Sequence, residues 1–217
     1  LNELADFTGF YMESQKEHVR IETWLEKFYP QSNELEPYDI QEVNRVLGAL
    51  RFFKVSQPLP LIYNLTEQVL NDVITKKQYI RLIQTLENFH CVNTFVLNGA
   101  ANKIEMFYAN MAPKVKKGQK VYDEIIQYCR SELFSKEVFV EAFREEIVYS
   151  ATKLDKEAVI YFIDKIENYR ATSKLRGHEY KHLFNQELDE KKLSNIEHVL
   201  SQSYCKDDEI HYFGNLL

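Results

Sequence analysis

Apolar residues along most of this chain recur at three- and four-residue steps with charged residues between them, the spacing of amphipathic helices. Leu4, Phe7, Phe10, Tyr11, Val19, Ile21, Trp24 and Leu25 predict one helix over 2–27, ended by Pro30. Val43, Val46, Leu47, Leu50 and Phe53 predict a second over 39–53, with Asp39 as N-cap and Glu42 as its capping-box partner. Pro58 and Pro60 open a third, which carries Leu61, Ile62, Leu65, Val69, Leu70 and Val73. Tyr79, Ile80, Leu82, Ile83, Leu86 and Phe89 give the same spacing over 76–93. The stretch 94–111 continues it, and Gly99 marks either a break or a close helix crossing.

The basic stretch PKVKKGQK at 113–120 predicts a linker, followed by helical blocks at 121–132, 136–148 and 155–168. The pattern changes after Tyr169. Residues 170–192 are polar and charged, and two short apolar pieces follow at 194–200 and 209–217. Their length and the β-branched Ile196, Val199 and Ile210 predict two short strands. No set of anchors repeats at the ~20–50-residue period of a solenoid. The expected fold is mainly α, a multi-helix bundle ending in two short C-terminal strands. Its expected parts are a helical subdomain at 1–112, the linker at 113–120, a helical subdomain with a polar connector at 121–192, and a distinct C-terminal piece at 193–217.

Composition sharpens this picture. The chain has 6 Gly and 5 Pro in 217 residues, and none of the prolines lies in 114–217. Average usage of the two is about 12% together, so collagen-like, low-complexity and Gly-rich β architectures are excluded. No apolar run approaches the ~20 residues of a membrane span, and no charged-then-apolar leader opens the chain. Three cysteines, Cys91, Cys129 and Cys205, without a CxxC spacing argue against a disulfide framework or thiolate zinc site and fit a cytoplasmic protein. The chain opens on Leu1 and closes on the apolar run 213–217, so both ends are expected to be internal to a longer protein.

The net charge of -6 argues against a surface that binds nucleic acid throughout, but two basic clusters leave room for a local groove. One is Lys114, Lys116, Lys117 and Lys120; the other is Lys174, Arg176, Lys181, Lys191 and Lys192. Most polar residues have plain explanations. His18, His90 and His211 stand alone, as solvated or core-satisfied histidines do. His178 and His182 are four apart, as in zinc-binding pairs, but neither the HExxH order nor a third ligand accompanies them. No glycine-rich phosphate loop, GxSxG elbow or Cys–His nucleophile pattern is present.

One stretch stands apart, IEHVLSQS at 196–203, followed by GNLL at 214–217. An acidic residue beside a histidine, then an asparagine on the next strand, supplies the types that metal-dependent phosphodiester hydrolysis needs. An imidazole deprotonates the nucleophile, a carboxylate holds a hard divalent cation, and a polar side chain orients the imidazole. IEHVLSQS…FGNLL resembles the opening of the His-Asn-His nuclease domain of GmrSD-type, modification-dependent restriction enzymes, whose usual form is IEHIxPQ followed by IGNLxLL. The helical stretches 82–112 and 158–169 resemble the region that precedes that domain in the same proteins.

The resemblance implies His198 as general base, Asn215 as the residue orienting it, and Glu197 as a metal ligand, with Mg2+ as the cation of the full-length parent. It also implies DNA as the parent's substrate in defence against foreign DNA, and a nucleotide-binding domain N-terminal to this chain. The two predicted strands would be the first two elements of a ββα-metal nuclease fold. Ser201 stands where the family usually has proline, and no DGQQR-type nucleotide signature is present. The nuclease helix that brings the last metal ligand would lie beyond Leu217, so this piece alone is expected to be inactive and to hold no metal. The alternative reading is a non-enzymatic helical module that links domains or forms oligomers.

Overall fold

A computed structural model describes residues 2–32, 34–99, 102–146, 153–173 and 184–185. They hold nine α-helices: α1 (Asn2–Ser14), α2 (Ile21–Phe28), α3 (Pro37–Phe52), α4 (Leu59–Leu70), α5 (Lys76–His90), α6 (Asn102–Lys116), α7 (Tyr122–Ser131), α8 (Lys136–Glu146) and α9 (Lys153–Ser173). A π-helical turn, Cys91–Val96, continues α5. Among the described residues there is no strand, and the two segments predicted as strands lie outside them. No described helix is long and apolar enough to cross a membrane. The chain divides into two compact units, Leu1–Phe134 and Ser135–Leu217.

The helix expected over 2–27 is two helices. The chain turns at 15–18 without Pro or Gly, and the hydroxyl of Ser14 donates to the Tyr11 carbonyl at 2.7 Å as α1 ends. Both helices bury their apolar faces in the same cluster, which is why the periodicity runs on through the reversal. Phe10, Trp24 and Tyr63 meet edge to face, with centroids 5.3–6.1 Å apart. Gly9 lets α2 come this close, since a Cβ there would stand 2.7 Å from the Phe28 ring.

The start of α3 also differs from expectation. Pro37 takes the first turn, where its missing N–H costs nothing, and the N-cap is Glu36, whose backbone N–H donates to the Asp39 carboxylate at 3.0 Å. Glu42 is thereby free to turn inward. The start of α5 is a capping box in which Thr75 and Gln78 exchange bonds of 3.2 and 3.0 Å. Glycine is so scarce that other residues end the helices in left-handed geometry: Lys54 (φ 59°) after α3 and Asp72 (φ 57°) after α4.

In this first unit α5 packs on α3, α4 and α7, and α4 packs on α6. Asn64 and Gln68 on α4 donate to the carbonyls of Ala112 and Val115 on α6, at 2.8 and 2.5 Å. Lys114 and Lys116 of the basic stretch lie in the last turn of α6, and Gly118 (φ 74°) turns the chain toward α7. Between α3 and α5 the core holds a charged group. Arg45, 3% exposed, donates to both carboxylate oxygens of Glu42 (2.7 and 2.9 Å) and of Glu87 (both 3.1 Å). Gln84 adds a bond of 2.7 Å to Glu42.

In the second unit, Phe143 of α8 meets Phe162 of α9 edge to face at 4.8 Å. Tyr161 meets Phe184 in the same way at 5.2 Å. Ala158, Val159 and Tyr161 are buried, as the dense apolar block at 155–168 predicts.

Candidate functional site

Glu197, His198 and Asn215 lie outside the described residues, as do His178, His182, His211 and the basic cluster from Lys174 to Lys192. Of the first basic cluster, Lys114 pairs with Glu124 at 3.0 Å and Lys116 pairs with Glu3, while Lys117 and Lys120 are exposed. Half of that cluster is therefore neutralised by carboxylates of its own unit. Among the described residues no three His, Cys, Asp or Glu side chains are grouped to hold a metal ion. Cys91 and Cys129 are buried and in no disulfide, and burial pushes the Cys129 thiol up to about 12, so it is an inert core residue.

His90 is fully buried at the junction of α5 and the π-helical turn. Its Nδ1 meets the Thr94 hydroxyl at 2.9 Å and its Nε2 meets the Tyr108 hydroxyl at 2.8 Å. Hydroxyls both donate and accept, so the neutral ring is satisfied in either tautomer. Burial pushes its pKa down to about 4, and it stays neutral through the physiological range. His90 is thus the core-satisfied histidine that the sequence allowed.

The π-helical turn shapes a cavity of about 190 Å3 beside it, walled by Phe89, Asn93, Thr94, Ile104, Glu132 and Phe134. Single π turns inside α-helices are rare and concentrate at functional sites. Here the extra residue per turn brings Asn93 inward, where its Nδ2 donates to the Glu132 carbonyl at 2.9 Å. The Asn93 Oδ1 is buried without a hydrogen-bond partner. The turn closes as the Gly99 N–H donates to the Asn93 carbonyl at 2.7 Å; a Cβ at Gly99 would collide with that carbonyl. Of the two readings left open at Gly99, a break or a close helix crossing, the structure shows the break, with Asn98 at φ 49°.

A second polar cluster joins α1, α4 and the residue after α2. Asp6 accepts from Trp24 Nε1 at 2.7 Å and from the Tyr29 hydroxyl at 2.9 Å; that hydroxyl also lies 3.2 Å from Glu67 Oε1. One phenol proton serves only one carboxylate, so the pair is relieved when Glu67 holds a proton of its own. Burial first, then Asp6 and Glu3, raise the Glu67 pKa, while the nearby hydroxyls of Tyr63 and Tyr29 oppose them. A carboxyl raised on folding stabilises at low pH, and that contribution fades as pH climbs through its raised pKa. Glu67→Gln is therefore expected to match the wild type near about pH 4 and to melt higher than it at about pH 8. Melting curves across that range check this, and a variant that melts lower at pH 8 contradicts it.

The chain was compared with family models, with curated proteins and with solved structures, and nothing matched in any of the three.

Proposed function

We propose that this chain is the helical middle and the opening of the His-Asn-His nuclease domain of a modification-dependent restriction endonuclease of the GmrSD type. The observation that carries the reading is the adjacent pair Glu197–His198 followed by Gly214–Asn215–Leu216, in the order and residue types of that domain's first two strands. The helical character of the described residues agrees with the region that precedes the domain. In this reading His198 takes the proton from the attacking water and Asn215 holds the imidazole in the orientation that does so. Glu197 is the hard oxygen donor that a divalent cation takes. Such a cation, Mg2+ in this reading, neutralises charge that builds on the scissile phosphate. A nucleotide-binding domain N-terminal to these residues completes the proposed parent.

DNA then runs along Lys174, Arg176, Lys181, Lys191 and Lys192, beside the nuclease segment. If these five cations contact phosphates, affinity falls by about a hundredfold or more between ~50 and ~200 mM salt. A mobility-shift titration in a salt series reads this directly.

The second reading, a helical interaction module, draws on exposed apolar side chains. Leu4 is 68% exposed and Met12 62% exposed; with Tyr11 they share one face of α1. Absence of DNA binding, together with sedimentation that changes with protein concentration, would favour this module over the nuclease.

A further inference from the structure

Tyr63 carries a hydroxyl that the fold buries and leaves idle. The residue is 3% exposed, and its oxygen has no hydrogen-bond partner among the described residues. Such hydroxyls are rare, because each forfeits its bonds to water. The ring itself is well used: it meets Phe7 at 5.3 Å, Phe10 at 5.6 Å and Trp24 at 6.1 Å, edge to face in each case. Phenylalanine would supply that packing equally well, so the packing does not account for the oxygen. Its neighbours are the carboxylates of the Tyr29 cluster. Glu67 stands one turn further along α4 on the same face, and after burial it is the charges of Glu67 and Asp6 that raise the Tyr63 pKa.

Tyr29 cannot serve both carboxylates. Its oxygen lies 2.9 Å from Asp6 Oδ2 and 3.2 Å from Glu67 Oε1, and it has one proton to donate. With a proton on Glu67 the three groups form one chain, in which Glu67 donates to the Tyr29 oxygen and Tyr29 donates to Asp6. Tyr63 has no part in that chain, and its hydroxyl is idle in the structure. Once Glu67 is ionised it competes with Asp6 for Tyr29, and Asp6 is the nearer. Around Glu67 stand Asp6 and Glu3 of α1, Tyr29 after α2, Tyr63 of its own helix and Lys116 of α6, which is held by Glu3. The Tyr63 hydroxyl is the uncommitted donor among them. Burial, the largest cause in each case, raises both phenols so that they keep their protons, and raises Glu67 so that it holds one to higher pH than an ordinary carboxyl.

We propose that Tyr63 and Glu67 form a proton-operated switch at the seam of α1, α2 and α4: on losing its proton, Glu67 gives up Tyr29 and takes the hydroxyl of Tyr63. The proton passes from Glu67 to water, and no other covalent bond changes. The bond given up ties the residue after α2 to α4, whereas the bond gained lies within α4. As pH rises, α4 therefore holds the α1–α2 pair more loosely. The switch is independent of the nuclease assignment and stands or falls separately from it.

Trp24, the one tryptophan of the chain, reports on the cluster, because its Nε1–H donates to the other carboxylate oxygen of Asp6 at 2.7 Å. Its indole N–H and the Tyr63 ring signals are followed by NMR on the whole chain from about pH 4 to about pH 8. In the wild type both are expected to move in one step with a common midpoint. Glu67→Gln has no proton to lose in this range and shows no step. Tyr63→Phe keeps the ring and removes only the idle oxygen, so it matches the wild type in stability at low pH. At high pH its ionised Glu67 lacks a donor, which favours the protonated form. The Trp24 midpoint in Tyr63→Phe then moves up by about one pH unit, a tenfold change in proton affinity and the order of one hydrogen bond. That rise, together with the missing step in Glu67→Gln, supports the switch. A step that survives in Glu67→Gln, a Tyr63→Phe midpoint that stays or falls, or no step in the wild type overturns it.

Discussion

Arg45→Ala is expected to destabilise the first unit by about 3–5 kcal/mol, enough to unfold a large fraction of it, given that domains this size are stable by about 5–15 kcal/mol in all. The guanidinium is 3% exposed and is gripped on two sides by Glu42 and Glu87, themselves 1% and 0% exposed. Attraction by Glu87 and then Glu42 outweighs burial and keeps the guanidinium pKa raised. Truncating it leaves two carboxylates facing each other out of water, an arrangement that costs more than the pair of bonds lost. The fault is the orphaned charge and not the missing volume. Arg45→Met, which refills most of the space, should therefore be nearly as damaging as Arg45→Ala. The triple variant Glu42→Gln, Arg45→Met, Glu87→Gln should recover most of the loss. Urea denaturation followed by circular dichroism measures all three; a loss below about 1 kcal/mol for Arg45→Ala would contradict a fully desolvated triad.

The other large effect concerns His198. Under the nuclease reading, His198→Ala removes the only group assigned to deprotonate the nucleophile, and general base catalysis of this kind contributes about 10²–10⁴-fold. Cleavage by the full-length parent should fall by that factor while DNA affinity stays nearly constant, since phosphate contacts and not the imidazole hold the duplex. Asn215→Ala should fall less, because it disturbs the orientation of a base that is still present.

How much of this molecule is legible in its sequence depends on how local the cause is. The helices follow from spacing within a few residues, and most were readable in the described part; residues 113–116, expected to open a linker, are instead the last turn of α6. The reversal between α1 and α2 was not readable, because both helices feed Phe10 and Trp24 into one cluster and no Pro or Gly marks the turn. The true cap of α3 lies at Glu36, displaced by Pro37, and Asp39 with Glu42 only imitates the motif three residues on.

The Arg45 triad was hidden for a different reason. Glu42 and Arg45 three apart look like a solvated pair, and the partner that draws them inward, Glu87, is 42 residues further along than Arg45. The cavity was equally hidden, since the orphaned Asn93 oxygen depends on a π-helical turn that no apolar spacing announces. The one signal available was Gly99, which the sequence left open between a break and a close helix crossing; the structure shows the break, and a Cβ there would collide with the Asn93 carbonyl. The catalytic candidates are a motif in the sequence alone, because Glu197, His198 and Asn215 lie outside the described residues.

The nuclease assignment is tested most directly by one comparison. The full-length parent and its His198→Ala variant, both shown to be folded, are incubated with modified DNA in the presence of Mg2+. The assignment predicts strand cleavage by the parent that stops on chelation, and a loss of at least about a hundredfold in the variant. Equal cleavage by the two proteins would contradict it.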